Sequence, residues 1–280
     1  MSPIVAVCVH VVLQSGAVAL GWRAAGSSGK RHWIMAAGVL LLATSLLLAD
    51  GSLLLAMLPI RDLALVGNQT PLAAGLLAGT VAGTLSLARW RRLATALIFL
   101  IIADGAVLLP LVQRPPVTAS QWVDGVCLQS TESTCAPAAA ATLLRLHGIE
   151  ADETSMATWC LTTDAGTTHW GLWRGLRALS DDSGWMVQAG DPGIEAVLSG
   201  PPAIVSVVLT RALDHREPRY RAEWGWLLGQ PHAVVYLGPG KRPELIRIAD
   251  PKIGIEEWNV QALRDLYNGQ VYRLIRRSSP

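Results

Sequence analysis

Four residues whose side chains can cooperate in breaking an amide bond occur in a fixed order along the chain. Cys135 stands before a run of small residues, and Gln129 precedes it by six positions. His232 opens the apolar run HAVVYLG, and Asp250 closes the run ELIRIAD. A thiol nucleophile, an imidazole base, a carboxylate that orients the imidazole and an amide that stabilises an oxyanion are the parts of a cysteine-hydrolase site. The sequence therefore predicts catalytic roles for these four residues.

A helix is predicted to begin at Cys135. Pro137 falls in the first turn, where its missing N–H costs nothing, and Gly148 suits the position just after the last turn. A thiol at a helix N-terminus meets unpaired N–H groups and the positive end of the helix dipole, and both favour the thiolate. The position of Cys135 thus predicts a nucleophile rather than an inert packing residue.

The other elements of residues 121–280 predict an α+β domain. Asp152, Thr167 or Thr168, and Asn259 are predicted to cap helices, and β-rich runs predict strands at 203–209, 232–238, 244–250 and 271–277. Helices that come before strands favour an α+β fold over a doubly wound sheet. The long connection 210–231, which carries Trp224 and Trp226, is predicted to be a binding element or a lid.

Residues 1–113 are much more apolar than the rest of the chain. Hydrophobic residues make up 51% of the whole and charged residues 16%, and few of the charges lie before residue 114. Four apolar segments, at about 4–22, 33–59, 71–88 and 93–113, are near the roughly 20 residues that cross a bilayer. They predict a membrane α-helical bundle of four spans over residues 1–113, joined by a linker at 114–120 to the α+β domain at 121–280.

The basic residues of this predicted bundle fall in alternate loops: Arg23, Lys30 and Arg31 after the first segment, and Arg89, Arg91 and Arg92 after the third. By the positive-inside rule both loops face the cytoplasm. The chain is therefore predicted to be an integral protein of a bacterial inner membrane with an extracytoplasmic C-terminal domain. Asp50 and Asp104 occupy similar places in the second and fourth segments, either as hydrogen-bonding contacts between helices or as functional groups.

The other cysteines and the balance of charges indicate which further sites the chain could contain. Cys127 and Cys160 lie in the domain predicted to be outside, where a disulfide is compatible with the surroundings, and the sequence leaves open whether they are bridged. Neither a Cys-x-x-Cys motif nor a paired histidine spacing occurs, so no metal site and no cofactor are predicted. The near balance of 23 basic and 21 acidic residues indicates no nucleic-acid surface.

Residues 127–280 resemble the papain-like peptidases that remove double-glycine leaders from bacteriocin precursors. The resemblance rests on an ordered set of motifs: Gln129 six residues before Cys135, the Gly166-Thr167 turn before a helix, Pro201-Pro202 entering a strand, His232 opening a strand and Asp250-Pro251 ending one. It implies a papain-like fold, with Cys135 as nucleophile and His232 as base. It also implies that Asp250 orients the histidine and that Gln129 stabilises the oxyanion.

The chain departs from this family in two ways. The residue after the nucleophile is usually glycine in the family and is Ala136 here. The family is best known as an N-terminal domain of ABC exporters, whereas this peptidase-like region follows the apolar segments, and the chain has no Walker motif. Leader cleavage is therefore not implied.

The predicted function is a membrane-anchored, extracytoplasmic cysteine peptidase that cleaves a peptide or protein through an acyl-enzyme. Two alternatives stay open: an acyl transferase that uses the same thiolate, and a catalytically degenerate module that binds peptides as a sensor. The sequence also leaves open a partner among membrane proteins.

Overall fold

The computed structural model describes residues 3–26, 28–47, 70–85 and 88–277. The chain forms two compact units, and the boundary between them along the sequence lies between Gln113 and Arg114. The first unit is helical and contains α1 (Pro3–Ala25), α2 (Ser28–Leu47), α3 (Thr70–Thr84) and α4 (Arg89–Val112). Within this unit α3 packs against each of the other three helices, so it forms the centre of the helical packing.

Small residues allow α1 and α3 to approach closely. A Cβ atom added to Gly79 would overlap the carbonyl oxygen of Val18, and one added to Gly21 would overlap that of Leu76. Both obstacles are backbone atoms of a packed helix, so neither can move without moving the helix. Glycine is therefore required at these two positions by the distance between the helices.

Replacing Gly79 with alanine is expected to lower the free energy of unfolding by about 1–3 kcal/mol, because the added methyl group overpacks the contact with α1. Gly16→Ala is the matched control: nothing lies within 4 Å of its added Cβ, and alanine favours a helix by up to about 1 kcal/mol. Urea unfolding followed by far-ultraviolet circular dichroism measures both. Equal midpoints for the two variants would contradict the close approach.

The prediction of a four-span membrane bundle is wrong. Within the described ranges, none of the helices combines the length and the apolar character that a membrane span requires. α3 has 15 residues, a length of about 22 Å, whereas a bilayer core is about 30 Å thick. The apolar segments predicted from sequence did not include the charged residues in the first turns of α2 and α4. These residues are Lys30 and Arg31 in α2, and Arg89, Arg91 and Arg92 in α4.

The predicted location as an integral membrane protein is contradicted by the same finding, and the extracytoplasmic placement that was deduced from it falls with it. Of the two carboxylates singled out in the apolar segments, Asp50 lies outside the described residues. The side chain of Asp104 also lies outside the described part of the structure.

The second unit is α+β, as predicted. A short hairpin comes first, formed by β1 (Trp122–Val123) and β2 (Val126–Cys127). Six strands of the described region then form an antiparallel sheet in the order β3-β8-β4-β5-β6-β7. These strands are β3 (Trp185–Gly190), β4 (Ala203–Val208), β5 (Pro231–Pro239), β6 (Leu245–Asp250), β7 (Gly254–Asn259) and β8 (Tyr267–Arg276).

The helices of this unit are mostly short. They are α5 (Cys135–Leu146), α6 (Glu153–Trp159), α7 (His169–Ser180), α8 (Ile194–Leu198), α9 (Arg211–Arg216), α10 (Arg219–Ala222) and α11 (Val260–Leu266), with a 3₁₀ turn at Asp181–Ser183. The predicted caps are confirmed: Asp152, Thr168 and Asn259 accept hydrogen bonds from the first turns of α6, α7 and α11. Gly148 follows α5 with φ +73°, as its C-terminal position requires.

The two faces of the sheet have different partners, because successive side chains of a strand point to opposite sides. Val205 and Val207 of β4 belong to a buried aromatic and aliphatic core with residues of α8, α9 and α11. Ile204 and Ser206 alternate with them and line a cavity that also contains Cys135. α5 packs against β4, β5 and β6, with α6 and α7 beside it. The sheet therefore carries this hydrophobic core on one face, and α5 and the cavity on the other.

Candidate active site

Cys135 is the first residue of α5 and lies half-buried on the wall of the cavity. A tight turn precedes it, in which the Thr131 N–H donates to Thr134 Oγ1 at 3.0 Å and that hydroxyl donates to the Thr131 carbonyl at 3.1 Å. The Thr134 side chain is thereby occupied and does not cap α5. The thiol of Cys135 thus lies at the start of α5 without a capping side chain beside it, and the Ala136 N–H helps to lower the pKa of the thiol.

His232 joins the thiol to a buried carboxylate. Its side chain interacts with the thiol of Cys135, so that each group shifts the pKa of the other, and its Nε2 lies 2.8 Å from Oδ1 of Asp250. Because Nε2 faces the carboxylate, Nδ1 is the ring nitrogen left for the sulfur. The structure therefore brings three of the four predicted residues together in the order thiol, imidazole and carboxylate.

The strand register explains how residues so far apart in sequence meet. β5 and β6 are antiparallel neighbours in which Val235 pairs with Ala249. Continuing this register by one residue sets Asp250 opposite Val234, two residues from His232 and on the same face. Such diagonal pairs are within reach of each other's side chains.

Asp250 is fully buried, and its two oxygens accept three hydrogen bonds. Besides the bond to His232, Oδ1 accepts from the Lys252 N–H at 2.8 Å and Oδ2 from the Trp226 indole N–H at 3.2 Å. The Trp226 ring also packs against the imidazole of His232, with 4.8 Å between ring centroids. A buried carboxylate satisfied in this way is held in one orientation, and it holds the imidazole in turn.

These contacts act in opposite directions on the thiol and the imidazole. Burial raises the pKa of Cys135, but hydrogen bonding and charge from His232 and the N–H groups of Ala233 and Ala136 lower this pKa below its ordinary value. Burial lowers the pKa of His232, but the charge and hydrogen bond of Asp250, with the thiolate of Cys135, raise this pKa above its ordinary value. The pair therefore favours a thiolate beside an imidazolium.

Alkylation of Cys135 by iodoacetamide is expected to persist at pH values where an ordinary thiol is protonated and slow to react, because its pKa is lowered. Cys127 and Cys160 are expected not to react, since both are buried and burial raises the pKa of each to about 12. Mass spectrometry of the digested protein gives the extent of labelling at each cysteine from pH 5 to 9. Cys8 is exposed and serves as the internal comparison; parallel pH curves for Cys8 and Cys135 would refute the ion pair.

Gln129 lies in the segment before Cys135 but does not line the cavity. Its side-chain nitrogen donates to the Thr131 carbonyl at 2.8 Å, and its backbone N–H donates to the Pro251 carbonyl at 2.7 Å. Its Oε1 is buried and accepts no hydrogen bond from the described residues. One of the two N–H groups on Nε2 is occupied, and the predicted role as oxyanion donor stays a prediction.

Two charged residues that the sequence did not single out hold the segment before the nucleophile. Glu153 is fully buried at the start of α6 and accepts hydrogen bonds from the N–H and the hydroxyl of Ser130. Lys252 Nζ donates to Glu132 at 2.7 Å and to the Gly225 carbonyl at 2.9 Å. Its partner Glu132 is 120 positions away along the chain, so no local sequence pattern indicates this contact.

Cys127 and Cys160 are free thiols, so the bridge that the sequence left open is not formed. A Cβ atom on Gly175 of α7 would overlap the sulfur of Cys160, which shows that this thiol fills the contact between α6 and α7. The Cys127 N–H donates to Thr142 Oγ1 of α5 at 2.9 Å. Both cysteines are therefore packing residues.

The cavity beside Cys135 and His232 has a volume of about 560 Å³. One wall is formed by the N-terminal ends of α5 and α7 with the turn 164–168, and the other by β4, β8 and the start of β5. Such a cleft is large enough for a short extended peptide segment. Among the described residues, no three or more His, Cys, Asp or Glu side chains are arranged to hold a metal ion.

No known protein family and no curated protein matches the chain by sequence. Among solved structures, the chain is similar to the peptidase domain of Streptococcus ComA, a bi-functional ABC transporter involved in a quorum-sensing pathway. The two are 16% identical over 54% of this chain and 98% of that domain, with a TM-score of 0.42.

A double-glycine motif protease from an AMS/PCAT transporter, solved with its leader peptide, is 15% identical over 59% of this chain and 100% of its own, with a TM-score of 0.41. The peptidase domain of Streptococcus mutans ComA is 16% identical over 54% and 98%, with a TM-score of 0.36. Each similarity covers little more than half of the present chain.

Proposed function

We propose that the unit beginning at Arg114 is a cysteine peptidase that cleaves a peptide or protein by attack of the Cys135 thiolate on an amide carbonyl. The proposal rests above all on one observation: His232 interacts with Cys135 and forms a hydrogen bond of 2.8 Å with the buried Asp250, at the edge of a cavity of about 560 Å³. A buried thiol that served only packing would not need a lowered pKa or a fixed imidazole.

In the first step, the thiolate adds to the carbonyl carbon and a C–S bond forms. The C–N bond then breaks, and the His232 imidazolium gives its proton to the leaving amine. Asp250 stabilises the imidazolium until that proton leaves. We propose that the negative oxygen of the tetrahedral intermediate lies next to the N-terminus of α5, where the Cys135 N–H binds it, and that the second N–H of the Gln129 amide turns towards it when the substrate is bound. One such donor contributes roughly 10²–10³ in rate.

In the second step, water attacks the thioester while neutral His232 accepts its proton. The C–S bond breaks, a carboxylic acid is released, and the thiolate and imidazolium are restored. If an amine replaces water in this step, the product is a new amide, and the same residues then carry out acyl transfer.

The substrate is proposed to be a peptide or an extended segment of a protein. The cavity opens beside the nucleophile and lies between a helix layer and a sheet, so it admits a chain in extended form but not a folded domain. The papain-like motif order supports the same substrate class, although the double-glycine specificity of the resembling family is not carried over.

A mixture of short synthetic peptides incubated with the full chain in water enriched in ¹⁸O tests this proposal. Hydrolysis predicts fragments whose new carboxylate carries one ¹⁸O atom, and prior treatment with iodoacetamide should abolish them. Unlabelled fragments joined to an added amine would instead indicate transfer. Peptides that bind but remain intact, with Cys135 fully reactive towards iodoacetamide, would overturn the peptidase and favour a binding module.

A further inference from the structure

The cavity extends past the reacting atoms along the sheet, and this extension is built by two strands. Ser206 of β4 pairs with Ala233, whose N–H contacts the Cys135 sulfur, so Ser206 lies directly beside the site of attack. Ile204 comes two residues further along β4, about 7 Å away, and pairs with Tyr272 of β8. We call this extension, formed by Ile204, Ser206, Gln270 and Tyr272, the inner subsite.

An irregularity in strand pairing brings Gln270 into the inner subsite. Val205 pairs with Val271 and Val207 with Tyr267, so one residue of β4 faces three residues of β8. The extra residues form a bulge in which Gly269 has φ +75°. Bulges of this kind re-aim side chains next to functional sites, and here Gln270 lines the cavity although it is only 5% exposed.

The far end of the inner subsite is closed by a fixed tyrosine. Tyr272 is 4% exposed, and its hydroxyl lies 3.1 Å from Nδ1 of His169 and donates to the His169 carbonyl at 3.3 Å. His169 is the first residue of α7, so this contact joins the helix wall to the sheet wall. A substrate side chain entering here meets a closed end rather than open solvent.

The chemistry of the inner subsite is polar and uncharged. Apart from the Cys135–His232 pair at the point of attack, the formal charges on the cavity lining are those of Glu132 and Asp164, both exposed, and Glu132 already binds Lys252. No lysine or arginine of the described residues lines the cavity. A charged substrate group placed against Ser206 and Gln270 would lose its hydration without meeting an opposite charge, so its binding there is strongly disfavoured.

An apolar substrate group would also be disfavoured there. It would lie against the Ser206 hydroxyl and the Gln270 amide and would offer them neither a donor nor an acceptor. Ile204 and Leu172 of α7 lie on the same cavity lining and provide apolar contact for a short aliphatic stem. The best match is a side chain with an aliphatic stem and a neutral hydrogen-bonding end.

We propose that the inner subsite binds an asparagine, glutamine, serine or threonine side chain of the substrate, one or two residues from the scissile bond. This specificity rests on the proposed peptidase function, since it places the side chain relative to the carbonyl that Cys135 attacks. Gln270 and Ser206 are its specificity-determining residues, and Tyr272 sets its depth.

The test uses peptide chloromethyl ketones, which alkylate the thiol directly and need no hydrolysis. Two series, acetyl-Gly-X and acetyl-X-Gly chloromethyl ketones, carry Gln, Thr, Leu, Glu or Lys at X, and the rate constant for alkylation of Cys135 is measured by mass spectrometry. In one series Gln and Thr are expected to react at least about tenfold faster than Leu, Glu and Lys, the effect of about one hydrogen bond.

Gln270→Leu is expected to reverse the order in favour of Leu, and Ser206→Ala, a smaller change, to reduce the preference severalfold. Gln188→Leu makes the same replacement at an exposed position of β3 outside the cavity and should keep the wild-type order. Equal rates for all five probes would overturn the subsite, as would a preference that survives both cavity variants. If the preference is present but no peptide is hydrolysed, the subsite stands and the peptidase function fails.

Discussion

Replacing Cys135 with alanine is expected to lower kcat for peptide cleavage by about 10⁶-fold, the scale of losing a nucleophile that works as a unit with its base. The lowered pKa of this thiol depends on His232 and on the N–H groups of Ala136 and Ala233, so the sulfur is the one atom on which these contacts converge. Without it, neither the thioester nor the proton transfer to the amine can occur, whatever the affinity for the substrate.

The control for this variant is Cys8→Ala, because Cys8 is exposed and belongs to the other unit. It should retain wild-type cleavage, measured as the initial rate with a fluorogenic peptide. Circular dichroism should show that Cys135→Ala is folded, since alanine fits a position whose neighbours in α5 are also alanines. Cleavage by Cys135→Ala at more than a hundredth of the wild-type rate would show that another group performs the attack.

Replacing Asp250 with asparagine is expected to lower kcat by about 10⁴-fold, the loss seen when a triad carboxylate becomes an amide. All three groups around Asp250 are donors: the His232 ring, the Trp226 indole N–H and the Lys252 N–H. An asparagine turns at least one N–H towards one of these donors, so the imidazole loses its fixed tautomer and orientation.

This variant also predicts a shift in the pH profile. Asp250 raises the pKa of His232, and the imidazolium is needed as proton donor, so wild-type activity is lost as the pH rises through that pKa. Removing the negative charge lowers the pKa, and the alkaline limb of the profile should move to lower pH. Asp182→Asn, at an exposed position of the second unit, should leave the profile unchanged. An unmoved alkaline limb in Asp250→Asn would show that His232 does not titrate there.

The local elements of the second unit could largely be predicted from sequence, because their signals are local. Asp152, Thr168 and Asn259 cap helices through side chains that are visible in the sequence, and β4, β5, β6 and β8 are rich in β-branched and aliphatic residues. β3 and β7 were missed since WMVQAG and GIEEWN mix exposed polar residues with few buried ones. β3 is a strand because it pairs with β8, which is distant in sequence, and β7 is a strand because it pairs with β6.

The site shows the same division between local and long-range information. The motif order brought Cys135, His232 and Asp250 into one hypothesis, and they are in contact. Trp226 was noticed only as part of a long connection, because its bond to Asp250 depends on how that connection folds back. The membrane prediction failed for a related reason: hydropathy counts apolar residues but does not register where helices start, end or pack on one another.

The β5–β6 pairing makes the chain unequally tolerant of changes in length. Losing one residue between His232 and Val235 would shift His232 by a single position against β6, and its side chain would then point to the opposite face from Asp250. Leu237 is an unpaired residue between the pairs Tyr236–Ile248 and Gly238–Arg247, so its loss would only make the pairing regular. Residues added to the loop 240–244 would lengthen only the turn. Homologous chains should therefore vary in length at the bulge and at the hairpin tip, but not between His232 and Val235.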